Sequence, residues 1–253
     1  MKQEENDSDK FLLTMAYGAV SILELASVRD TGIFPFHIEN TQENAALVSS
    51  DYSTVKRLAK RLGGIYKVAR VCGNTIEDLL EGLPLPEEAK FNWTVSGYYC
   101  DSRLLEETRL AVQDFLKLNS FRKSRFLEPS ISSEMDGKNG ESDDVRQTQF
   151  SELKLKELYE RVLFPKDQTQ KGFDVVVHGG FGEEPIYCYS VAASDVPGFE
   201  SRDFTRSYQD PTITISPRLA RILVNLAMKS KTGTLLDPFC GLGTILQEGL
   251  VCG

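Results

Sequence analysis

The strongest constraint on the fold is a block near the C-terminus, residues 234–251, TLLDPFCGLGTILQEGLV. The apolar run at 234–237 predicts a short buried strand, and residues 245–251 predict a helix. An acidic residue and a Gly-x-Gly turn lie between them. Strand, acidic residue, glycine turn and helix in this order are typical of a doubly wound α/β sheet, which binds ligands at the carboxyl ends of its strands. Glycines let the backbone approach a ligand, and a helix N-terminus offers free N–H groups. The block therefore predicts an α/β fold with a small-molecule site.

Two common nucleotide-binding loops do not fit this block. A phosphate-binding loop of the Walker type needs a Lys after its last glycine, and Gly243 is followed by Thr244. A dinucleotide fingerprint needs a third glycine three positions after the second, and that position is Leu246. ATP-type loops and NAD are therefore disfavoured.

Residues 237–244, DPFCGLGT, resemble the first motif of S-adenosylmethionine (SAM)-dependent methyltransferases, especially those that methylate amino groups of nucleic-acid bases. The resemblance implies SAM as the cofactor and assigns this loop to its binding. The alternative interpretation is a glycine turn that binds no ligand. The implied cofactor-binding residues are Asp237, Pro238, Phe239, Cys240, Gly241, Gly243 and Thr244.

A longer stretch narrows the resemblance. SRDFTRSYQDPTITISPRLARILVNLA followed by LLDPFCGLGT is similar to the tRNA guanosine-10 N2-methyltransferase family. RLGGIYKVARV, FNWTVSGYY and FRKSRFLEP also stand in the order expected of that family's N-terminal half. The resemblance implies an α+β RNA-recognition region of THUMP type, followed by the start of a Rossmann-like class I methyltransferase domain.

Composition and periodicity, together with the regions that the resemblance implies, divide the chain into four predicted segments. Residues 130–149, rich in Ser, Asp, Glu and Gly, predict a flexible insertion, and residues 196–210 predict irregular turns. Residues 211–253 bring two helices and one strand without sheet partners, so we expect this segment to be poorly ordered or to pack on the connector. The four segments are a disordered tail at 1–10, an RNA-recognition region at 11–165, a connector at 166–210 and an N-terminal piece of a methyltransferase domain at 211–253.

The clearest helix of the N-terminal half lies at 55–64. Its apolar residues recur at helical spacing, and Gly63 and Gly64 predict a C-terminal cap. In the C-terminal block, Ser216 is a favourable N-cap and Pro217 a favourable first helical residue. Strand and helix patterns otherwise alternate along the chain.

The sequence contains no Asn/Asp-Pro-Pro-Tyr segment, which the resemblance would place in the catalytic site. In such sites the Asn or Asp and a backbone carbonyl accept hydrogen bonds from the target amine, and the aromatic ring stacks on the flipped base. No catalytic residue is therefore predicted.

The resemblance implies the N-terminal part of a guanine-N2 methyltransferase, truncated after the first SAM motif and inactive alone. The missing C-terminal portion or a complementing subunit would be its partner. Two alternatives are a non-catalytic RNA-binding module from a split or truncated gene and a DNA amino-methyltransferase.

Net charge does not exclude RNA. The chain carries 29 Lys and Arg against 37 Asp and Glu, a net charge of −8, yet RNA recognition depends on local faces. Two basic clusters are candidate phosphate contacts to tRNA, and the alternative for each is an ordinary solvated surface. The candidate RNA-binding residues are Lys56 and Arg57 in one cluster and Arg122, Lys123 and Arg125 in the other.

Other features narrow the compartment and the chemistry. Five cysteines without Cys-x-x-Cys spacing disfavour a disulfide framework or a zinc site and indicate a reducing cytoplasm. The N-terminus is acidic rather than a secretory signal, and no apolar run approaches the ~20 residues of a membrane span. His178, after a predicted strand, is interpreted as structural.

Overall fold

The computed structural model describes residues 9–87, 90–133, 149–152, 155–163, 172–182, 184–204, 215–228, 230 and 233–252. The chain divides into two compact units. The first unit comprises Met1–Arg70 and Val191–Gly253, and the second comprises Val71–Ser190. Both units combine helices with a β-sheet, so the predicted α/β class is confirmed.

The N-terminal part of the first unit has the order β-α-β-β-α-β of the ferredoxin-like arrangement. Its strands lie in the order β2-β3-β1-β4 with antiparallel pairs at β1–β3, β1–β4 and β2–β3. The elements are β1 (Lys10–Met15), α1 (Ala19–Asp30), β2 (Phe36–Gln42), β3 (Ala45–Ser50), α2 (Tyr52–Arg61) and β4 (Ile65–Gly73).

Helix α2 illustrates how local sequence specifies this part of the fold. The Asp51 side chain caps the helix by accepting a hydrogen bond from Thr54 N at 2.9 Å. Val55 and Leu58 are fully buried with the apolar residues of β1 and β4. The predicted helix is therefore confirmed, although it ends at Arg61 rather than at the two glycines.

Three helices complete the first unit: α6 (Val196–Phe204), α7 (Pro217–Ala227) and α8 (Thr244–Cys252). The prediction of irregular turns at 196–210 is wrong for the described residues up to Phe204. The Asp195 side chain accepts a hydrogen bond from Gly198 N at 3.1 Å, and Pro197 falls in the first turn, where a missing N–H costs nothing.

The second unit has a mixed sheet in the order β10-β9-β5-β8-β7, with β6 also paired to β5. Strands β5 and β9 are parallel, and its core contains Trp93 and Phe173. The elements are α3 (Ile76–Gly82), β5 (Asn92–Tyr98), α4 (Ser102–Leu118), β6 (Arg125–Phe126), β7 (Ser130–Ser133), β8 (Gln149–Glu152), α5 (Leu155–Leu158), a π-helical turn (Tyr159–Leu163), β9 (Phe173–His178) and β10 (Ile186–Ala193).

The flexible insertion predicted at 130–149 needs correction at its ends. Strands β7 and β8 pair antiparallel, with Ser130 opposite Glu152, and β8 adds to β5. Residues 134–148 lie outside the described part of the chain. Composition indicated a loop here, but strand pairing depends on partners distant in sequence, which composition does not reveal.

The compact units follow other boundaries than the four predicted segments. Helices α7 and α8 belong to the same unit as β1, α1 and α2, so the C-terminal segment has packing partners at the start of the chain. The expectation of poor order at 211–253 is therefore wrong for α7 and α8, because α7 packs against α1 and α8 packs against α7. Helix α7 also contacts α6, which lies within the predicted connector, so the alternative of packing on the connector is confirmed for α7.

Candidate functional site

The predicted cofactor loop forms a compact turn immediately before α8. Asp237 Oδ1 accepts a hydrogen bond from Phe239 N at 3.0 Å, and Gly243 N donates to Cys240 O at 2.7 Å. Gly241 and Gly243 have φ values of 49° and 76°, in the left-handed region that favours glycine. The two glycines that the sequence singled out are therefore required by the backbone.

The loop has room for a ligand on one side. A Cβ placed on Gly243 would meet no atom within 4 Å, and Phe239 is 92% exposed. Asp237 is partly exposed, whereas Thr244 is buried at the start of α8. These features fit a cofactor that contacts backbone N–H groups and a carboxylate, and the described residues supply one wall of such a site.

The strand predicted at 234–237 does not form. Among the residues that the structure describes, 234–237 pair with no strand, and Leu236 is 82% exposed. A strand needs a partner to satisfy its backbone groups, so an apolar pattern alone does not produce one. The interpretation of this run as a buried strand is therefore corrected.

Buried ion pairs join α8 to α7 and α6. Glu248 of α8 is fully buried and accepts from Arg221 Nε at 2.8 Å and Nη2 at 2.5 Å. Its other oxygen accepts from Arg202 Nε at 2.5 Å. Arg221 also donates through Nη1 to the carbonyl oxygen of Lys60 at 3.0 Å, near the end of α2. The carboxylate is thus shared between two guanidinium groups.

A second set of bonds starts at Arg61. Its Nε donates to Asn225 Oδ1 at 2.7 Å, and its Nη1 donates to the carbonyl oxygen of Cys252 at 2.5 Å. Burial lowers the pKa of the Arg61 guanidinium from its usual value. Arg61 therefore connects the end of α2 both to α7 and to the last turn of α8.

Glu24 of α1 is a buried carboxylate that is connected to Arg61 through Asn225. Its carboxylate accepts from Gly63 N at 2.9 Å, Gly64 N at 2.8 Å and Asn225 Nδ2 at 2.7 Å. Desolvation by burial raises the pKa of Glu24, while these three hydrogen bonds act in the opposite direction. The carboxylate can be buried because each contact offers it a donor.

The Gly63-Gly64 pair has a different role from the predicted cap. Neither glycine has a positive φ. A Cβ on Gly63 would collide with the carbonyl oxygen of Arg218, and α7 lies against this turn. Arg218 donates to the carbonyl oxygens of Gly63 and Ile65. Gly63 is therefore needed for the close approach of α7 and Gly64 for the close approach of α1, and both donate their N–H groups to Glu24, rather than ending α2.

Sequence reasoning missed Glu24 and Glu248, and it assigned Arg61 to the outer face of its helix, whereas the structure buries this side chain. Arg221 and Asn225 contributed only as part of the PRLARILVNLA stretch, which carries the family resemblance, and no role was assigned to either. The signal that could have found the network is a charged residue on the apolar side of each helix, as with Arg61 beside Leu58 and Leu62. Such residues are seldom buried unless they are paired.

The candidate RNA-binding residues are exposed, but they belong to different units. Lys56 and Arg57 lie on α2 of the first unit, with Lys56 Nζ 4.4 Å from the centre of the Tyr52 ring. In the other cluster, Arg122 and Lys123 lie between α4 and β6 of the second unit, and Arg125 is the first residue of β6.

The aromatic residues that flank this second cluster take part in the core. Phe121 packs on Phe91 with ring centres 5.6 Å apart, and Phe126 packs on Trp93 at 4.8 Å. Both rings are therefore used for packing, and the basic side chains project without an aromatic partner of their own in the cluster.

Further searches concern metals and membranes. Within the described ranges, no group of three or more His, Cys, Asp or Glu side chains is arranged to hold a metal ion. The described helices include none with the length and apolarity needed to span a bilayer.

Similarity to known proteins is concentrated at the C-terminus. Residues 205–253 match the UPF0020 family model, described as an RMKL-like methyltransferase domain. A search of curated proteins finds no match.

Solved structures with a similar chain path are distant. A possible methylase from Clostridium difficile 630 and SMU.472, named as a candidate methyltransferase complexed with SAH, each have a TM-score of 0.47, at 14% and 13% identity. Each alignment covers 97% of this chain and 56% of the other, so this chain spans little more than half their length. PH1313 from Pyrococcus horikoshii Ot3 has a TM-score of 0.43 at 8% identity, covering 74% of this chain and 56% of that one.

The match at 205–253 includes the glycine loop, α7 and α8. The matched segment therefore includes Gly241 and Gly243, the two loop glycines with positive φ. The C-terminal segment is therefore methyltransferase-like, and a methyltransferase domain supports S-adenosyl-L-methionine as the cofactor.

Proposed function

We propose that the chain is the N-terminal part of a SAM-dependent RNA methyltransferase that modifies the exocyclic N2 amine of a guanine in tRNA. The observation that carries the SAM proposal is the loop at 237–243, with two left-handed glycines before α8, inside a segment that matches a methyltransferase domain. The tRNA and guanine-N2 parts rest on the resemblance of the sequence stretches described above.

Bound SAM would supply an activated methyl group on a sulfonium centre. The residues of this chain would hold and orient it. Asp237 is fixed by its hydrogen bond from Phe239 N, so its carboxylate is held in place to meet a cationic or hydroxyl group. Backbone N–H groups at the start of α8 would bind an anionic group of the cofactor.

No residue of this chain is proposed to act on the target amine, since the Asn/Asp-Pro-Pro-Tyr segment is absent from the sequence. Leu236, Phe239 and Leu250 are 82%, 92% and 85% exposed. Large exposed apolar groups of this kind mark surfaces that another element covers. We therefore propose that further methyltransferase strands, from a C-terminal portion or a complementing subunit, complete the site.

Equilibrium dialysis with labelled SAM tests the cofactor proposal. We expect the chain to retain SAM, and Gly243→Val to weaken retention at least about 10-fold, because a β-branched residue is strained at a positive φ and fills the open space. Gly233→Ala is the matched control, since a Cβ there meets no atom within 4 Å and φ is not in the left-handed region. No retention by the wild type, or equal retention by Gly243→Val, would contradict the proposal.

The RNA proposal predicts salt-dependent tRNA binding. Replacing Arg122 and Arg125 by Ala should lower affinity and reduce the slope of log K against log salt by about two units, if each touches one phosphate. Filter binding at three salt concentrations measures this slope. The matched control replaces Arg103 and Lys117 by Ala, which removes the same charge from exposed positions of α4 that pair with nearby carboxylates.

Two results would refute this part of the proposal. One is a slope for the Arg122/Arg125 variant that equals that of the control. The other is equal affinity for tRNA and a polyuridine strand, because the proposed region binds folded RNA. Retention of SAM without tRNA binding would leave the DNA amino-methyltransferase alternative, whereas tRNA binding without SAM retention would favour the RNA-binding module.

A further inference from the structure

Helix α8, which follows the cofactor loop directly, buries little apolar surface. Its buried residues are Thr244 and Glu248, both polar, while Leu250 is 85% and Val251 52% exposed. The helix has nine residues, and helices shorter than about 12 residues are marginal without tertiary support. Hydrogen bonds and ion pairs, rather than apolar contacts, must therefore supply most of the interactions that fix the orientation of α8.

Those bonds hold the helix at two levels. In its second turn, Glu248 is bonded to Arg221 and Arg202, and at its end the Cys252 carbonyl oxygen accepts from Arg61 Nη1 at 2.5 Å. A rotation of α8 about its axis would take Glu248 away from both guanidinium groups. These contacts hold α8 in its orientation, and with it the start of the helix at Thr244, which directly follows Gly243 of the loop.

The bonds lead back to the beginning of the chain. Arg61 Nε donates to Asn225 Oδ1, and Asn225 Nδ2 donates to Glu24 Oε1 across 201 sequence positions. Asn225 Nδ2 also donates to the Arg61 carbonyl oxygen at 3.1 Å. Each member has its donors or acceptors matched to the next, which makes such a network rigid when complete.

We propose that Arg61 and Glu24, in the N-terminal β-α-β-β-α-β part, are positioning residues for the cofactor loop. They act through Asn225 and α8 rather than by touching the cofactor. This inference rests on the proposed function in so far as the loop binds SAM. It assigns to the first 61 residues a part in the cofactor site, in addition to any RNA contact of α2.

Hydrogen exchange of the full chain without SAM tests this positioning. Arg61→Lys keeps the charge but loses the planar fork that bonds Asn225 and Cys252 together. We expect amide exchange in α8 and the loop at 237–243 to accelerate at least about 10-fold, while β1 and β4 stay within about 2-fold of the wild type. Glu248→Gln, which removes the negative charge shared by Arg221 and Arg202, is a second variant with the same expected pattern. Arg103→Lys, in an exposed pair with Glu107, is the control.

The outcomes separate the two proposals. Unchanged exchange in α8, or equal acceleration throughout β1 and β4, would overturn the positioning role, the second because it shows a general loss of stability. Labelled-SAM dialysis on the same variants should show Arg61→Lys weakening retention at least about 10-fold with an unchanged circular dichroism spectrum. If the wild type retains no SAM while the exchange pattern is as expected, the proposed function fails, and the support of α8 by Arg61 stands.

Discussion

Replacing Arg221 by Ala is expected to lower the free energy of unfolding of the first unit by about 3–5 kcal/mol. The change leaves Glu248 fully buried with one of its two cationic partners, and breaking a buried ion pair on one side costs about this amount. It also removes the donor to the Lys60 carbonyl oxygen at the end of α2. Urea denaturation followed by circular dichroism measures the loss.

Arg103→Ala is the matched control for this substitution. Arg103 forms an i,i+4 pair with Glu107, and its side chain is 86% exposed. Exposed pairs of this kind are screened by solvent and contribute little to stability, so the control should stay close to the wild type. If Arg221→Ala lost no more stability than Arg103→Ala, the buried network would not support the fold as described.

The pH dependence of the second unit should be dominated between about pH 4 and 6.5 by His178. Burial lowers the pKa of its imidazole from 6.5 to about 4. Between these values the unfolded chain binds a proton that the folded chain does not, so stability falls as the pH is lowered from 6.5 to about 4. The expected loss is on the order of 3 kcal/mol. Above pH 6.5 this contribution is constant.

The surroundings of His178 explain why the neutral ring is preferred. Nδ1 accepts a hydrogen bond from Gly180 N at 3.0 Å, and Phe181 stacks on the ring with centres 4.7 Å apart. In the described part of the chain, Nε2 has no hydrogen-bond partner. Protonation of Nδ1 would break the hydrogen bond that this atom accepts from Gly180 N, and it would place a positive charge in a buried site. These contacts support the interpretation of His178 as structural.

His178→Asn tests the pH prediction. The amide oxygen can still accept from Gly180 N, but the side chain does not titrate, so the slope of stability between pH 4 and 6.5 should flatten. Urea denaturation at several pH values, followed by the fluorescence of the single Trp93 in this unit's core, measures it. The matched control, His37→Asn, replaces an exposed histidine of β2. A variant slope as steep as the wild type's would contradict the assignment to His178.

Much of the secondary structure was predictable because it depends on neighbours along the chain. The spacing of Val55, Leu58 and Leu62, and the Ser216-Pro217 start of α7, predict helices that the structure confirms. The run at 234–237 has the composition of a strand, yet it forms none, because pairing requires a partner segment. Helix α6 was missed although its start carries a similar local signal, with Asp195 accepting from Gly198 N and Pro197 in the first turn.

In the candidate site, too, the features that depend on local sequence could be predicted and those that depend on distant residues could not. The glycines of the loop could be predicted, because a tight turn before a helix requires positive φ at fixed positions, and Gly241 and Gly243 adopt it. The hydrogen-bond network that holds α8 behind this loop could not be predicted. Glu24 and Asn225 are 201 positions apart, and neither local sequence indicates that the two side chains meet. Local sequence thus decides which backbone shapes are allowed, through sterics and hydrogen bonds within a few residues. Tertiary structure alone decides which buried charges meet, because desolvation is tolerated only where the folded chain brings a partner of opposite charge or a matching donor.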